Sequence, residues 1–269
     1  MIMLYSTLMK AALRQLYGQP PAPQADRDGV GLVLVADGVG GLNLLGRSLQ
    51  YVMPPSGLTH TVRVVTWGHG FGRWHSDLTN VHNHAAQARL MATQVETFHT
   101  QHPSLPVFLV GKSGGCGVVL RALKHLPEKA IEAVVLVAPA LSPGYDLSGA
   151  LQAVRREMVV FWSPLDVFVL GAGTRIFGTM DRVRSVSAGL VGFRLPERLD
   201  EAGQGQYTKL RQVRWHPRMA QTGYLGGHVG PDSPRFLRNY VVPLLSVKEA
   251  KKVNPDGPVA TPLGSPLAP

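Results

Sequence analysis

The stretch LVGKSGGCGVVLRAL, residues 109–123, joins an apolar strand-like run to a helix-like run through a glycine-rich turn. Within it, Gly111, Ser113 and Gly115 fit the pattern G-x-S-x-G. A serine in this pattern needs a tight, strained turn that lifts its hydroxyl above the sheet, and glycines on either side let the backbone pass close by. The stretch therefore predicts a strand, a sharp turn that carries a nucleophilic serine, and a helix.

Strand-like and helix-like runs alternate on both sides of this turn. Several strand-like runs are continuously apolar, which is typical of strands buried on both faces of a parallel sheet. They occupy residues 29–37, 60–67, 105–111, 133–140, 158–162 and 207–215. Helices are expected at 84–101, after Ser113 as far as the stop at Pro127, and at 234–245. The pattern predicts an α/β fold: a mostly parallel central sheet with helices on both faces.

Composition and charge exclude several classes of protein. With 45% hydrophobic and 16% charged residues, most of the 269-residue chain is not disordered. A single cysteine excludes a disulfide scaffold and favours a reducing cytoplasm. No apolar run reaches the length of a transmembrane segment. The net charge is +10, yet the chain has no DNA- or RNA-binding motif, so we interpret the excess as a solvated basic surface and expect no specific nucleic-acid partner.

The chain is expected to form one α/β domain over residues 29–246. Residues 1–28 are predicted to be an N-terminal helix followed by a stiff proline-containing linker. Residues 247–269 contain five prolines and little that can pack, which predicts a disordered tail. Inside the domain, residues 167–206 are rich in glycine, phenylalanine, leucine and arginine, and we expect them to form a cap or pocket-covering insertion.

In its strand–turn–helix setting, the turn at residues 111–115, called the elbow below, resembles that of the α/β-hydrolase superfamily. The resemblance covers approximately residues 29–245. Members of the superfamily carry their catalytic triad in the order serine, acid, histidine along the chain. The resemblance therefore implies a triad of Ser113, Asp166 and His228.

The acid and the histidine are assigned by their order and setting. Asp166 lies in a turn beyond an apolar strand-like run, as the superfamily's acid does, while Asp146 and Asp181 are the alternatives. Of the ten histidines, eight precede this acid and His216 lies in or directly after a strand. Only His228 combines the expected order with a glycine-rich loop past the last strand.

The same resemblance implies an oxyanion hole made of two backbone N–H groups. One comes from the turn after the first strand and the other from the residue after the nucleophile, so Val39 and Gly114 would be the donors. Glycines at positions 38 and 40 let the backbone approach. Asp37 stands where the superfamily often has a histidine.

Other readings of the same residues fit less well. A phosphate-binding P-loop would need glycine where Pro106 stands, and a dinucleotide fingerprint would need glycine or alanine where Asn43 stands. Cys116 is expected to be a small core residue on the elbow helix. The loop after the second predicted strand gathers five potential metal ligands: His69, His75, His82, His84 and Asp77. They have no recognised ligand spacing, so a pocket-lining loop is favoured over a metal site.

The chain is therefore predicted to be a serine hydrolase that cleaves a small-molecule ester or related acyl bond, without metal or organic cofactor. Activity should fall on acidification, because the histidine must be neutral to act as a base. Phe168, Ile176 and Phe177 in the predicted insertion favour an apolar acyl group, and its arginines favour an acidic or phosphate-bearing portion. Two alternatives remain open: a domain of this fold that binds a ligand or protein without catalysis, and acyl transfer by the same triad.

Overall fold

The structure, a computed structural model, describes residues 31–247. The predicted N-terminal helix and linker at 1–28, and all but the first residue of the predicted tail at 247–269, lie outside the described residues. Within that part of the chain, no helix has both the length and the apolar character needed to cross a membrane.

Six parallel strands make up the sheet of the described chain. They are β1 (Leu32–Ala36), β2 (Thr61–Val65), β3 (Val107–Lys112), β4 (Ile131–Val137), β5 (Val154–Trp162) and β6 (Leu210–Arg214). Their order across the sheet is β2-β1-β3-β4-β5-β6, and every pair of neighbours is parallel. All residues of β1 and β3 are buried. This agrees with their continuous apolar runs, which predicted strands covered on both faces.

Within residues 31–247, ten α-helical segments surround the sheet. They are α1 (Leu44–Val52), α2 (Trp74–Thr79), α3 (Val81–Gln101), α4 (Gly115–Leu123), α5 (Ser148–Gln152), α6 (Thr174–Phe177), α7 (Ala188–Val191), α8 (Glu201–Tyr207), α9 (Pro217–Ala220) and α10 (Pro234–Phe236). Helices α3, α4, α5 and α8 contact one another in succession, whereas α1 contacts α10. Right-handed crossovers place α1 and α4 on opposite faces, because β1 to β2 and β3 to β4 run in opposite directions across the sheet. The predicted α/β architecture is confirmed.

Strand order determines where a ligand can enter. The chain moves one way from β1 to β2 and the other way from β3 to β4, so β1 and β3 flank the point at which the topology reverses. Open α/β sheets bind ligands outside the carboxyl ends of their strands at such a point. Ser113 directly follows β3, and the turn at residues 37–41 directly follows β1.

Several predicted boundaries were wrong. Helix α1 was not predicted, since Gly46 interrupts its pattern; the glycine is needed because a Cβ there would lie 2.7 Å from Cγ2 of Val64 on β2. Strand β5 begins at Val154 rather than 158, because its first residues are charged. The helix predicted at 234–245 is divided into α10, a π-helical turn at Leu237–Val241 and a 3-10 turn at Val242–Leu245.

The segment at 167–206 begins with a π-helical stretch, Val167–Gly173, and continues through α6 and α7 to α8. Backbone hydrogen bonds fasten it to the loop after β4: the Met180 N–H donates to the Ala140 carbonyl over 2.8 Å, and the Gly189 N–H donates to the Pro139 carbonyl over 2.8 Å. The side chains of Leu170 and Met180 are part of the core. The segment is thus packed against the sheet edge that carries Ser113, and its role as a pocket cover stays a prediction.

Candidate active site

The elbow holds Ser113 in a backbone conformation that few side chains adopt. Its φ of 50° lies in the left-handed region, which costs a non-glycine residue about 1–3 kcal/mol. A Cβ on Gly115 would lie 2.0 Å from the Ala36 carbonyl oxygen, and one on Gly111 would lie 2.9 Å from the Cys116 Cα. Both glycines of the motif are therefore required for the close passage of backbone that the sequence predicted.

The three residues that the sequence assigned to a triad lie in contact. His228 Nε2 is 3.0 Å from Ser113 Oγ, and His228 Nδ1 is 2.6 Å from Asp166 Oδ2. A carboxylate only accepts hydrogen bonds, so Nδ1 carries the proton that it donates to Asp166. Nε2 is then left to accept the hydrogen bond of the serine hydroxyl. Ser113 and Asp166 are buried, and His228 is partly exposed.

The two alternative acids have other partners. Asp181 accepts the Ser142 N–H over 2.9 Å and the Thr179 hydroxyl over 2.6 Å. Asp146 is exposed and accepts the Ser148 N–H over 2.9 Å. Of the three candidate acids, Asp166 is the one hydrogen-bonded to His228.

The predicted oxyanion donors are neighbours. A Cβ on Gly114 would lie 2.8 Å from Val39 Cγ1, and within residues 31–247 neither amide donates to an acceptor. Asp37 shapes this turn: its Oδ1 accepts the Gly38 N–H over 2.8 Å, and its Oδ2 accepts the Gly46 N–H over 3.0 Å. The carboxylate at the position where the superfamily often has histidine thus anchors the turn to α1.

Asp77 holds the loop after β2 against the turn after β1. Its buried carboxylate accepts the Gly40 N–H over 2.8 Å and the His69 N–H over 2.6 Å, and it lies 2.9 Å from His69 Nδ1. His84 donates from Nε2 to the Asp77 carbonyl over 2.5 Å. His75 and His82 are exposed. In the described part of the chain, no three His, Cys, Asp or Glu side chains cluster in a way that could hold a metal ion.

A family model described as Serine aminopeptidase, S33, matches residues 62–188, which include the elbow and Asp166 and end before His228. The match agrees with the parallel sheet and the strained serine turn at its carboxyl edge. The chain has the α/β-hydrolase fold. No curated protein sequence matches it.

Solved structures with low sequence identity are also similar to this chain. A poly(3-hydroxybutyrate) depolymerase from Bordetella parapertussis is 16% identical, with a TM-score of 0.45 over 77% of this chain and 78% of the other. A CIB-like hydrolase from Thermoplasma acidophilum is 14% identical, with a TM-score of 0.43 over 81% and 88%. A Trichoderma reesei cutinase, solved with a phosphonate inhibitor, is 20% identical, with a TM-score of 0.38 over 58% and 70%.

A buried ion pair beside the nucleophile was missed by the sequence analysis. The Lys112 ammonium donates to both carboxylate oxygens of Asp232 over 2.5 and 2.6 Å, and the carboxylate is fully buried. Burial raises the pKa of Asp232 to about 6, and the charge of Lys112 opposes this rise. The pair joins the end of β3 to the loop that carries His228. Its partners are 120 residues apart and belong to no motif, so the sequence contains no local signal for it.

Asp77 should be important for the stability of the turn that contains Val39. In an Asp77→Asn variant, one of the two oxygens becomes an amide donor that faces an N–H, so a buried hydrogen bond is lost at a cost of about 1–3 kcal/mol. We expect the free energy of unfolding, measured with denaturant, to fall by this amount. We also expect kcat to fall, because the turn contains Val39. Asp146→Asn, at an exposed aspartate, is the control and should change neither. If Asp77→Asn keeps both values, the carboxylate does not hold the turn.

Cys116 is fully buried, as predicted for a core residue, and burial raises the pKa of its thiol far above the usual range. Because the thiolate is the reactive form, we expect iodoacetamide to leave the folded protein unmodified and to alkylate it fully in denaturant. Mass spectrometry of intact protein measures both states. Comparable alkylation with and without denaturant would show that the elbow helix opens readily.

Proposed function

We propose that this chain is a serine hydrolase that cleaves an ester or related acyl bond through an acyl-enzyme on Ser113. The observation that carries the proposal is the position of His228, whose two ring nitrogens reach Ser113 and Asp166 at 3.0 and 2.6 Å. This is the arrangement in which an imidazole removes a serine proton while a carboxylate keeps the ring in the required tautomer.

In the first half of the proposed reaction, Ser113 Oγ attacks the substrate carbonyl carbon as His228 Nε2 takes the hydroxyl proton. The negative charge moves to the carbonyl oxygen, and the free N–H groups of Val39 and Gly114 are the donors proposed to stabilise it. Asp166 stabilises the imidazolium that has formed. The imidazolium then gives its proton to the leaving alcohol, the bond between carbonyl carbon and leaving oxygen breaks, and the acyl group stays on Ser113.

In the second half, water replaces the alcohol. His228 takes a proton from the water as its oxygen attacks the acyl carbon, and the same N–H groups receive the second oxyanion. Collapse of this intermediate returns the proton to Ser113 Oγ and releases a carboxylic acid. An alcohol that enters in place of water would give a new ester, so product analysis with and without added alcohol separates hydrolysis from acyl transfer.

The proposed substrate is a small molecule with an apolar acyl group. Trp67 is buried beside the elbow and donates from its ring N–H to the Asp37 carbonyl over 2.8 Å, and Met180 lies against Gly114. These apolar side chains border the proposed nucleophile on the side of the oxyanion turn. The cytoplasmic location stays a prediction.

Covalent labelling by a fluorophosphonate probe tests the proposal, since the probe reacts with an activated serine. Wild-type protein should be labelled once, and Ser113→Ala should not be labelled. Ser48→Ala is the matched control, because Ser48 is also buried but lies on α1, outside the site. A folded wild-type protein that resists the probe would contradict the proposal and favour a domain that binds its ligand without catalysis.

A further inference from the structure

Large apolar side chains protrude around the candidate active site. Phe168, Leu225 and Ile176 are 86%, 72% and 64% exposed. Phe71, Trp74 and Phe177 are also exposed. These six residues, called the rim surface below, come from three separate segments: the loop after β2 and the start of α2, the segment after β5, and the loop of His228. Soluble proteins rarely collect exposed apolar side chains in one place unless the surface binds something.

The three segments are joined to one another and to the site. The rings of Trp74 and Phe177 pack edge to face with centroids 5.1 Å apart, and Trp74 Cβ lies 3.7 Å from where a Cβ on Gly40 would stand. On the other side, Leu165 lies so close to Gly226 that a Cβ there would be 2.7 Å away. The rim surface therefore surrounds the edge at which Ser113 lies.

In the parts of these segments that carry the six residues, every exposed charged group is positive. Within the described stretches 68–80, 163–187 and 221–233, four arginines are exposed: Arg73, Arg175, Arg182 and Arg184. The carboxylates of the same stretches are turned inward. Asp77, Asp166 and Asp232 are buried, and Asp181 is bonded to Ser142 and Thr179. The surface thus combines protruding apolar side chains with uncompensated positive charge.

We propose that the rim surface docks on an anionic phospholipid surface. Side chains that protrude singly, as Phe168 does, can enter the acyl layer, while guanidinium groups beside them bind lipid phosphates. The match between four arginines and a negatively charged surface is what selects lipid over a neutral partner. Docking in this orientation would turn the Ser113 edge of the sheet toward the membrane. The proposal goes beyond the proposed hydrolysis and does not depend on it.

Sedimentation with lipid vesicles tests this docking without any catalytic readout. The full chain should bind vesicles of phosphatidylcholine mixed with phosphatidylglycerol, and bind phosphatidylcholine vesicles weakly. The variant Arg175→Ala/Arg184→Ala should bind the anionic vesicles more weakly, by roughly fivefold for each arginine removed. Added salt should weaken the binding of the wild-type protein as well. Phe168→Ser/Ile176→Ser should weaken binding at high salt as well, because it removes apolar contacts.

Matched controls come from exposed residues of α1 and α3, which are not part of the rim surface. Arg47→Ala/Arg89→Ala removes two exposed arginines from α1 and α3, and Leu90→Ser removes an exposed leucine from α3. Both control proteins should bind as wild type does. Equal losses in control and rim variants would overturn the proposal, because they would show attraction by net charge alone. No sedimentation of folded protein with anionic vesicles would also overturn it. So would a dimer, seen by light scattering, that is lost in Phe168→Ser/Ile176→Ser, since a second copy would then occupy the surface.

Discussion

Replacing Ser113 with alanine should lower kcat for any ester that the wild-type protein hydrolyses by a factor on the order of 10⁵ to 10⁶. The loss is this large because the Ser113 hydroxyl, held 3.0 Å from His228 Nε2, is the group that forms the acyl-enzyme. The variant should remain folded, because alanine removes an oxygen but keeps the Cβ that the elbow already accommodates. Hydrolysis rates and circular dichroism measure the two effects.

The remaining members of the site should behave as a unit. His228→Ala alone should cost about as much as Ser113→Ala, and the double variant should be little worse than either single variant, because the residues act in the same proton transfer. Ser48→Ala serves again as the control and should keep wild-type kcat. If Ser113→Ala retains a tenth or more of the wild-type rate, another group is the nucleophile.

Among substitutions near the site, those that break the ion pair between Lys112 and Asp232 should lower the free energy of unfolding the most. Asp232→Leu takes away the carboxylate that neutralises a buried ammonium, and removal of one partner of a buried pair costs about 3–5 kcal/mol. The double variant Lys112→Met/Asp232→Leu should lose less than the sum of the single losses, since apolar groups of similar volume can replace a buried pair. Glu157→Gln, in a half-buried pair with Arg211, is the control and should cost about 1 kcal/mol or less.

The pH dependence of this effect has a definite sign. Burial raises the pKa of Asp232 from 3.8 to about 6, so between these values the folded protein holds a proton that the unfolded chain has released. The contribution of Asp232 to folding stability is therefore fully present below pH 3.8, the pKa of the unfolded chain. It is lost as the pH rises through about 6, the pKa in the folded protein.

Denaturant titrations at several pH values measure this contribution. The difference in unfolding free energy between wild type and Asp232→Leu should shrink as the pH rises from acid toward neutrality. A difference that grows over the same range would mean that Lys112 outweighs burial and lowers the carboxyl pKa.

What the sequence predicted well depended on local, repeated signals. The apolar runs that became β1, β3 and β4 and the glycines at 111 and 115 constrain their own neighbourhoods, so the sheet and the elbow were predictable. His228 was assigned by chain order and loop composition, and the structure brings it to Ser113 although 115 residues separate them.

What the sequence did not reveal depends on distant contacts. The first residues of β5 are charged, so their sequence alone is more typical of a loop. In the fold, Arg211 Nε on the neighbouring strand donates to the Glu157 carboxylate over 3.0 Å. In the sequence, Asp77 stands among histidines and could be a metal ligand. In the structure, its carboxylate oxygens accept hydrogen bonds from backbone N–H groups of two different loops. The sequence carries no local signal for the pair of Lys112 and Asp232, because the two residues meet only when β3 packs against the loop of His228.

Ser113 should become covalently acylated during turnover. Protein mixed briefly with excess p-nitrophenyl butyrate, quenched in acid and digested, should show one added butyryl group on the peptide that contains Ser113. The Ser113→Ala protein should show none. Turnover of this ester with no adduct, or with the butyryl group on a different peptide, would contradict an acyl-enzyme on Ser113. So would a folded wild-type protein that neither hydrolyses the ester nor becomes acylated.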